Sequence, residues 1–147
     1  MKHLNFPYLY IFQKETMMDK LSVLHDYFGY TTFRDGQERL IDAILSGRDA
    51  FGIMPTGGGK SLCYQVPSVL FPGLTFVISP LISLMRDQVL ALKEAGISAA
   101  YINSTLSSEQ MRTVFSNIRS GKYKIIYVAP IVKHCFLVSH FLPISPP

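Results

Sequence analysis

The sequence predicts an α/β fold: a mostly parallel sheet whose connecting helices cover both faces. Three observations carry this expectation. Short β-branched and aromatic runs alternate with helical patterns of roughly 10–15 residues, the grammar of βαβ units. A glycine-rich segment, MPTGGGKS at residues 54–61, lies between a strand-like run and a helical one. A chain of 147 residues with 48% hydrophobic and 16% charged side chains has the composition of one globular unit. That composition excludes a disordered tail, a coiled coil and a collagen-like chain. No apolar run reaches the roughly 18–20 residues needed to span a bilayer.

Residues 1–17 are aromatic-rich and show no clear period. Met17 and Met18 are alternative starts, so this stretch is expected to be a misassigned extension, with the fold beginning at Met18. Asn5 and Pro7 interrupt the apolar residues there and no small-x-small cleavage site follows, which argues against a signal peptide. Leu21, Leu24 and Phe28 recur at helical spacing ahead of Gly29, a stop. Asp35 and Glu38 form a capping-box pattern for a second helix, with Leu40, Ile41, Ile44 and Leu45 inward and Gly47 at its end. Residues 50–54 are expected as a strand, and a helix starts near Lys60. A β-branched strand at 75–79 leads to a helix over 81–95, stopped by Gly96, and a third strand spans 99–103. Ser107 and Gln110 predict a capped helix reaching Arg119, closed by Gly121, and 124–129 is a fourth strand. There is no internal repeat and no linker. After Pro130 the pattern fails: residues 131–147 have neither helical nor strand period, and three of the nine prolines lie in the last five positions.

The net charge of +4 is unevenly placed. Arg112, Arg119, Lys122, Lys124 and Lys133 all lie beyond Glu109, the last acidic side chain. Cys63 and Cys135 suit neither a metal spacing nor a disulfide framework and read as reduced thiols of a cytoplasmic protein, nucleoid-associated if bacterial. His134 and His140 flank Cys135 at no common zinc spacing.

The chemistry concentrates at residues 54–61. A phosphate chain needs inward-facing backbone amides, which glycines supply without Cβ clashes, and it gains from the positive end of the following helix. Thr56, Gly57, Gly58, Gly59, Lys60 and Ser61 are therefore the candidate nucleotide site, with Lys60 reaching the β/γ-phosphates and Ser61 ligating Mg²⁺. Met54 stands where the strict pattern has glycine, but that position only ends the strand. The competing reading is a flexible turn with a solvated lysine, and the strand–loop–helix setting favours the nucleotide. About twenty residues upstream, in FGYTTFRDGQ (28–37), the Gln37 amide suits the N6/N7 edge of adenine, and Arg34 suits stacking on the base with Tyr27 or Phe28 nearby. In SPLISLMRDQV (79–89), Ser79 and the helix-start amides near Leu81 suit a nucleic-acid phosphate, and Arg86 a further contact. In isolation that segment reads better as a cap followed by an amphipathic helix with Arg86 and Asp87 exposed. Asn103 and Ser104 carry the same ambiguity.

Taken together and in this order, FGYTTFRDGQ, MPTGGGKSLCYQVP, SPLISLMRDQV, INST and YVAP resemble the N-terminal lobe of RecQ-type DNA helicases over residues 18–130. The resemblance implies a RecA-like lobe and an ATP-driven 3′-to-5′ translocase acting in DNA recombination and repair. It places Arg34 and Gln37 in an adenine-reading motif and residues 56–61 at the phosphates and Mg²⁺. Ser79, Pro80, Leu81, Arg86, Asn103 and Ser104 fall along a single-strand DNA track. Such helicases have two RecA-like lobes, usually followed by zinc-binding and winged-helix parts.

The departure is at Ile131, where the family continues with Glu and later an Asp-Glu-Ala-His box. Residues 131–147 are therefore expected to be an unrelated tail, from a frameshift or an alternative end, on a lobe truncated before the Walker-B strand. Without those carboxylates this chain is expected to bind ATP and single-stranded or partly duplex DNA but neither hydrolyse nor unwind. An open apolar sheet edge near the phosphate loop is expected to make it fold poorly. No membrane and no zinc are expected as partners. The rivals are a non-catalytic ATP- or DNA-binding regulatory fragment and an unrelated P-loop ATPase or kinase. In a kinase, Gln37 and SPLISLMRDQV have no role.

Overall fold

The computed structural model describes residues 18–130. Its elements run α1 (Lys20–Phe28), α2 (Gln37–Leu45), α3 (Leu62–Leu70), β1 (Thr75–Ile78), α4 (Ile82–Glu94), β2 (Ala99–Ile102), α5 (Ser108–Arg119) and β3 (Ile125–Val128). The three strands form one sheet in the order β1-β3-β2, and both pairings are parallel. Each strand is followed or preceded by a helix that returns the chain to the same end, which is what a parallel pairing demands.

Side-chain alternation divides the sheet into two faces. On one face Ala99, Ile125, Tyr127 and Ala129 pack with Met85, Val89 and Leu92 of α4. Tyr64 and Val69 of α3 close the same cluster. On the other face Ala100, Ile102 and Ile126 pack with Ile118 of α5 and its neighbours Met111, Val114 and Phe115. A third cluster joins Val23 and Leu24 of α1 to Ile41 of α2 and Val66 of α3. Helix α5 contacts β2, and β1 lies at the far edge of the sheet. Phe76 and Ile78 of β1 consequently stand 45% and 75% exposed.

Most helix ends follow their predicted chemistry. Gly29 closes α1 at φ 72°, and the Ser107–Gln110 capping box of α5 is made in both directions. Gly47, Gly96 and Gly121 all take the left-handed conformation just past their helices. Asp19, unremarked in the sequence, caps α1 by accepting from Ser22 N at 2.7 Å.

Three expectations are corrected. Residues 50–54 form no strand: they run extended without a ladder partner, leaving Phe51 and Ile53 89% and 88% exposed. A strand needs a neighbour to take its amides and carbonyls, and the described sheet offers this segment none. The predicted Asp35–Glu38 box is absent: Gly36 is the N-cap, at φ 79°, with no side-chain cap bond. The Gln37 side chain instead accepts from Arg34 N, just ahead of the helix. Leu21 faces outward, and Val23 with Leu24 supplies the buried side of α1. Cys63 is a buried thiol whose Sγ meets Met54 Sδ at 3.8 Å. The expected extension at 1–17 and tail at 131–147, with Lys133, His134, Cys135 and His140, lie outside the described residues.

Candidate nucleotide-binding site

The loop from Met54 to Ser61 leads into the N-terminus of α3, and its conformation is built by glycine. Gly57 and Gly59 sit at φ 78° and 74°, a region closed to most side chains. A Cβ on Gly58 would come within 2.9 Å of the Pro55 carbonyl, and one on Gly59 within 2.4 Å of Gln37 Nε2. The loop therefore accepts no larger residue at 58 or 59 without moving its neighbours.

Two side chains from the upstream motif hold the loop's carbonyls. Arg34 Nη1 donates to the Gly57 carbonyl at 2.6 Å. Gln37 Nε2 donates to the Gly59 carbonyl at 3.0 Å and, more distantly, to that of Gly58 at 3.5 Å. Gln37 Oε1 accepts from Arg34 N at 2.7 Å, so the amide is used at both ends and is only 1% exposed. In a trans peptide the carbonyl and the next N–H point in opposite directions. Holding the carbonyls of Gly58 and Gly59 on one side thus turns the Gly59 and Lys60 amides to the other, while the Gly58 N–H donates to the Pro55 carbonyl at 3.0 Å. Arg34 and Gln37, the predicted adenine-reading pair, thus brace the glycine loop.

Lys60 lies exposed at the loop's end, where Nζ donates to the Met54 and Pro55 carbonyls at 2.9 and 2.7 Å. Ion pairs among the described residues involve Lys20 and His25, and none involves Lys60. Its charge is therefore held by carbonyl dipoles with no carboxylate beside it. Ser61 is the N-cap of α3 but makes no side-chain cap bond, so its hydroxyl is not committed to the helix. A groove of 750 Å³ adjoins the loop, lined by Asp35, Gly36, Arg39, Phe51, Met54 and Pro55 among others.

The second predicted group sits at the C-terminal ends of the strands. Ser79 follows β1, and its Oγ accepts from Leu81 N at 3.4 Å, ahead of α4. Leu81, the N-cap of α4, has no side-chain cap bond, which leaves that helix start without a local acceptor from its own cap. Pro80, Leu81 and Arg86 are exposed, and Arg86 has no carboxylate partner among the described residues. Asn103 follows β2. It is 1% exposed, and its Oδ1 accepts from Thr105 N and Oγ1 at 2.9 and 2.7 Å, so it braces the turn that presents the exposed Ser104.

Sequence reasoning missed a buried polar chain behind the loop. Gln65 of α3 donates from Nε2 to Gln88 Oε1 of α4 at 3.0 Å and to Tyr127 Oη of β3 at 3.3 Å. Tyr64 Oη lies 3.2 Å from Tyr127 Oη, with the two rings edge to face. Burial, with the Tyr64 contact, drives the Tyr127 hydroxyl well above the usual tyrosine range, so it stays protonated. The available signal was a glutamine inside the apolar run LCYQVP, a polar group on a face otherwise made for the core.

A glycine-rich loop braced from upstream, beside exposed helix-start groups at the strand ends, is the arrangement expected of a P-loop protein of the helicase type. Residues 34–140 match the DEAD/DEAH box helicase family, and the chain belongs to it. Over 110 residues it is 54% identical to the ATP-dependent DNA helicase RecQ of Bacillus subtilis, covering 74% of this chain and 19% of that protein. It is 54% identical to the RecQ of Haemophilus influenzae, covering 75% and 18%. Against the ATP-dependent DNA helicase Q1 of rat, 46% identity covers 74% and 18%. The chain thus spans less than a fifth of the length of these relatives. Helicase membership implies nucleotide use and removes the kinase alternative. No helix among the described residues is long and apolar enough to cross a membrane.

Proposed function

We propose that this chain is the nucleotide-binding part of a RecQ-type 3′-to-5′ DNA helicase, which couples ATP hydrolysis to duplex unwinding in recombination and repair. One observation carries the reading: Gly57 and Gly59 are left-handed, their carbonyls are held aside by Arg34 and Gln37, and the Lys60 ammonium lies over the loop without a carboxylate. Such a loop fits a triphosphate. The amides of Gly57, Gly59, Lys60 and Ser61 bind its oxygens, the positive end of α3 favours its charge, and Lys60 exchanges two carbonyls for phosphate. Ser61 is the residue that would hold Mg²⁺, which when bound neutralises charge between the β- and γ-phosphates. Arg34 and Gln37 keep the loop open for both. Single-stranded DNA is taken along Ser79, Pro80, Leu81, Arg86 and Ser104, with Asn103 positioning the turn, and the site of action is the cytoplasm or nucleoid.

For the 147-residue chain alone the expected behaviour is binding with little turnover. Glu109 is its last side-chain carboxylate, and among the described residues no ion pair joins a carboxylate to Lys60. Phosphoryl transfer depends on positioning and charge stabilisation around both the nucleophile and the phosphates. The test is equilibrium binding of an ATP analogue. Lys60→Ala is expected to weaken it by tenfold or more, about 1.4 kcal/mol. An unchanged affinity rejects the assignment of the loop.

A further inference from the structure

Helix α3 carries the phosphate loop at its N-terminus, and it rests mainly on α1 and α2. Its polar connection to the DNA-facing side of the lobe is Gln65. That residue stands one turn into the helix, where its own N–H donates to the Ser61 carbonyl at 2.9 Å. Both hydrogens of the Gln65 side-chain amide are spent, one on Gln88 Oε1 and one on Tyr127 Oη. Gln88 lies on α4 two positions after Arg86, on the helix that opens beside Ser79 and Leu81.

The setting is apolar: Met85 and Val89, on the same helix as Gln88, and Tyr127 belong to one buried cluster. Polar groups in such a place cost stability unless fully satisfied, and leucine or methionine would fill the volume without that cost. Every buried side-chain polar atom among the described residues is satisfied. What the amides add is direction. A hydrogen bond fixes the angle and register between two helices, where packed methyl groups tolerate sliding.

We infer that the Gln65–Gln88 hydrogen bond, anchored on Tyr127, is the positioning link through which occupancy of the phosphate loop is transmitted to the first turn of α4. A shift of the loop on taking up phosphate moves Ser61 and hence the first turn of α3. Gln65 carries that movement to Gln88, and the central strand serves as the fixed point. Neither glutamine touches nucleotide or DNA in this scheme. The inference rests on the proposed function, since it joins the two sites assigned there.

Coupling between two sites is a ratio of affinities and is reciprocal, which gives a readout that packing alone does not move. The test takes the 147-residue chain, a slowly hydrolysed fluorescent ATP analogue and a single-stranded oligothymidylate. Analogue affinity is measured with and without saturating oligonucleotide. The wild-type chain is expected to show a ratio of about fivefold or more. Gln88→Leu is expected to bring that ratio close to one while leaving affinity in the absence of DNA unchanged. Gln88→Glu, which keeps an acceptor for Gln65 Nε2, is expected to restore it. A Gln88→Leu variant that keeps the wild-type ratio overturns the link. A wild-type chain that binds both ligands with no coupling also overturns it and leaves the proposed function standing. A wild-type chain that binds neither overturns both.

Discussion

Gly59→Ala is a sharp probe of the loop, because two separable penalties meet at one atom. The residue sits at φ 74°, and a left-handed conformation costs an L-residue about 1–2 kcal/mol. The added Cβ would also lie 2.4 Å from Gln37 Nε2, which must move. Gln37 is buried and its Nε2 donates to the Gly59 carbonyl, so displacement leaves a buried amide unpaired, a loss of about 1–3 kcal/mol. The sum is about 2–5 kcal/mol, a large share of the 5–15 kcal/mol typical of a domain. Gly57 supplies the control: its φ is 78°, and a Cβ there meets nothing within 4 Å. Gly57→Ala should therefore show the backbone penalty alone. The assay is urea unfolding of the 147-residue chain followed by circular dichroism, comparing the two variants. Gly59→Ala should be the less stable by about 1–3 kcal/mol, and adding Gln37→Ala should remove most of that excess. Equal destabilisation by the two alanines, or no rescue, refutes the brace between Gln37 and the loop.

Three further outcomes are expected. Ser107→Ala removes one arm of the α5 capping box, made at 3.2 Å, and should cost about 1 kcal/mol in the same unfolding assay. Burial pushes the Cys63 thiol up from the ordinary cysteine range, so it should resist a thiol reagent at neutral pH in the folded chain and react once unfolded. The unfolded thiol ionises first, so as pH rises past about 9 this group should increasingly favour unfolding, and Cys63→Ala should flatten that part of the pH–stability profile. Phe51→Ser, at an 89% exposed site, should change stability by less than about 0.5 kcal/mol. It should nevertheless reduce self-association in sedimentation, because Phe51, Ile53, Phe76 and Ile78 present apolar surface to solvent.

The parts of the fold legible in the sequence are those decided locally. Helix stops at Gly29, Gly47, Gly96 and Gly121 follow from backbone sterics at single positions, and Ser107 with Gln110 needs only one turn of chain. The parallel sheet was legible as alternation, since strands returning in one direction require helical crossovers. Residues 50–54 were misread because strand propensity there is real, while pairing depends on a partner elsewhere in the chain. Asp35 and Glu38 fit a capping pattern, but Gly36 took the cap and Gln37 took the polar work through the Gly59 carbonyl, more than twenty residues away. The tight turn at residues 54–61 was legible because its glycines are local: Gly57 and Gly59 take the left-handed conformation. The inward turn of Asn103, and the meeting of Gln65 with Gln88 and Tyr127, were not, because each depends on tertiary contacts that no local period encodes.

The order β1-β3-β2 has a consequence for how the chain acquires its shape. The central strand is the last of the three to be synthesised, and β1 and β2 each pair with it and not with each other. Thr75 must wait for Ile125, about fifty positions later, before it gains its ladder partner. During translation, then, helices α1 to α4 can assemble while the sheet cannot begin. The emergence of residues 125–128 from the ribosome is the moment at which two solitary strands become a sheet. Until then both are dependent on whatever shields them.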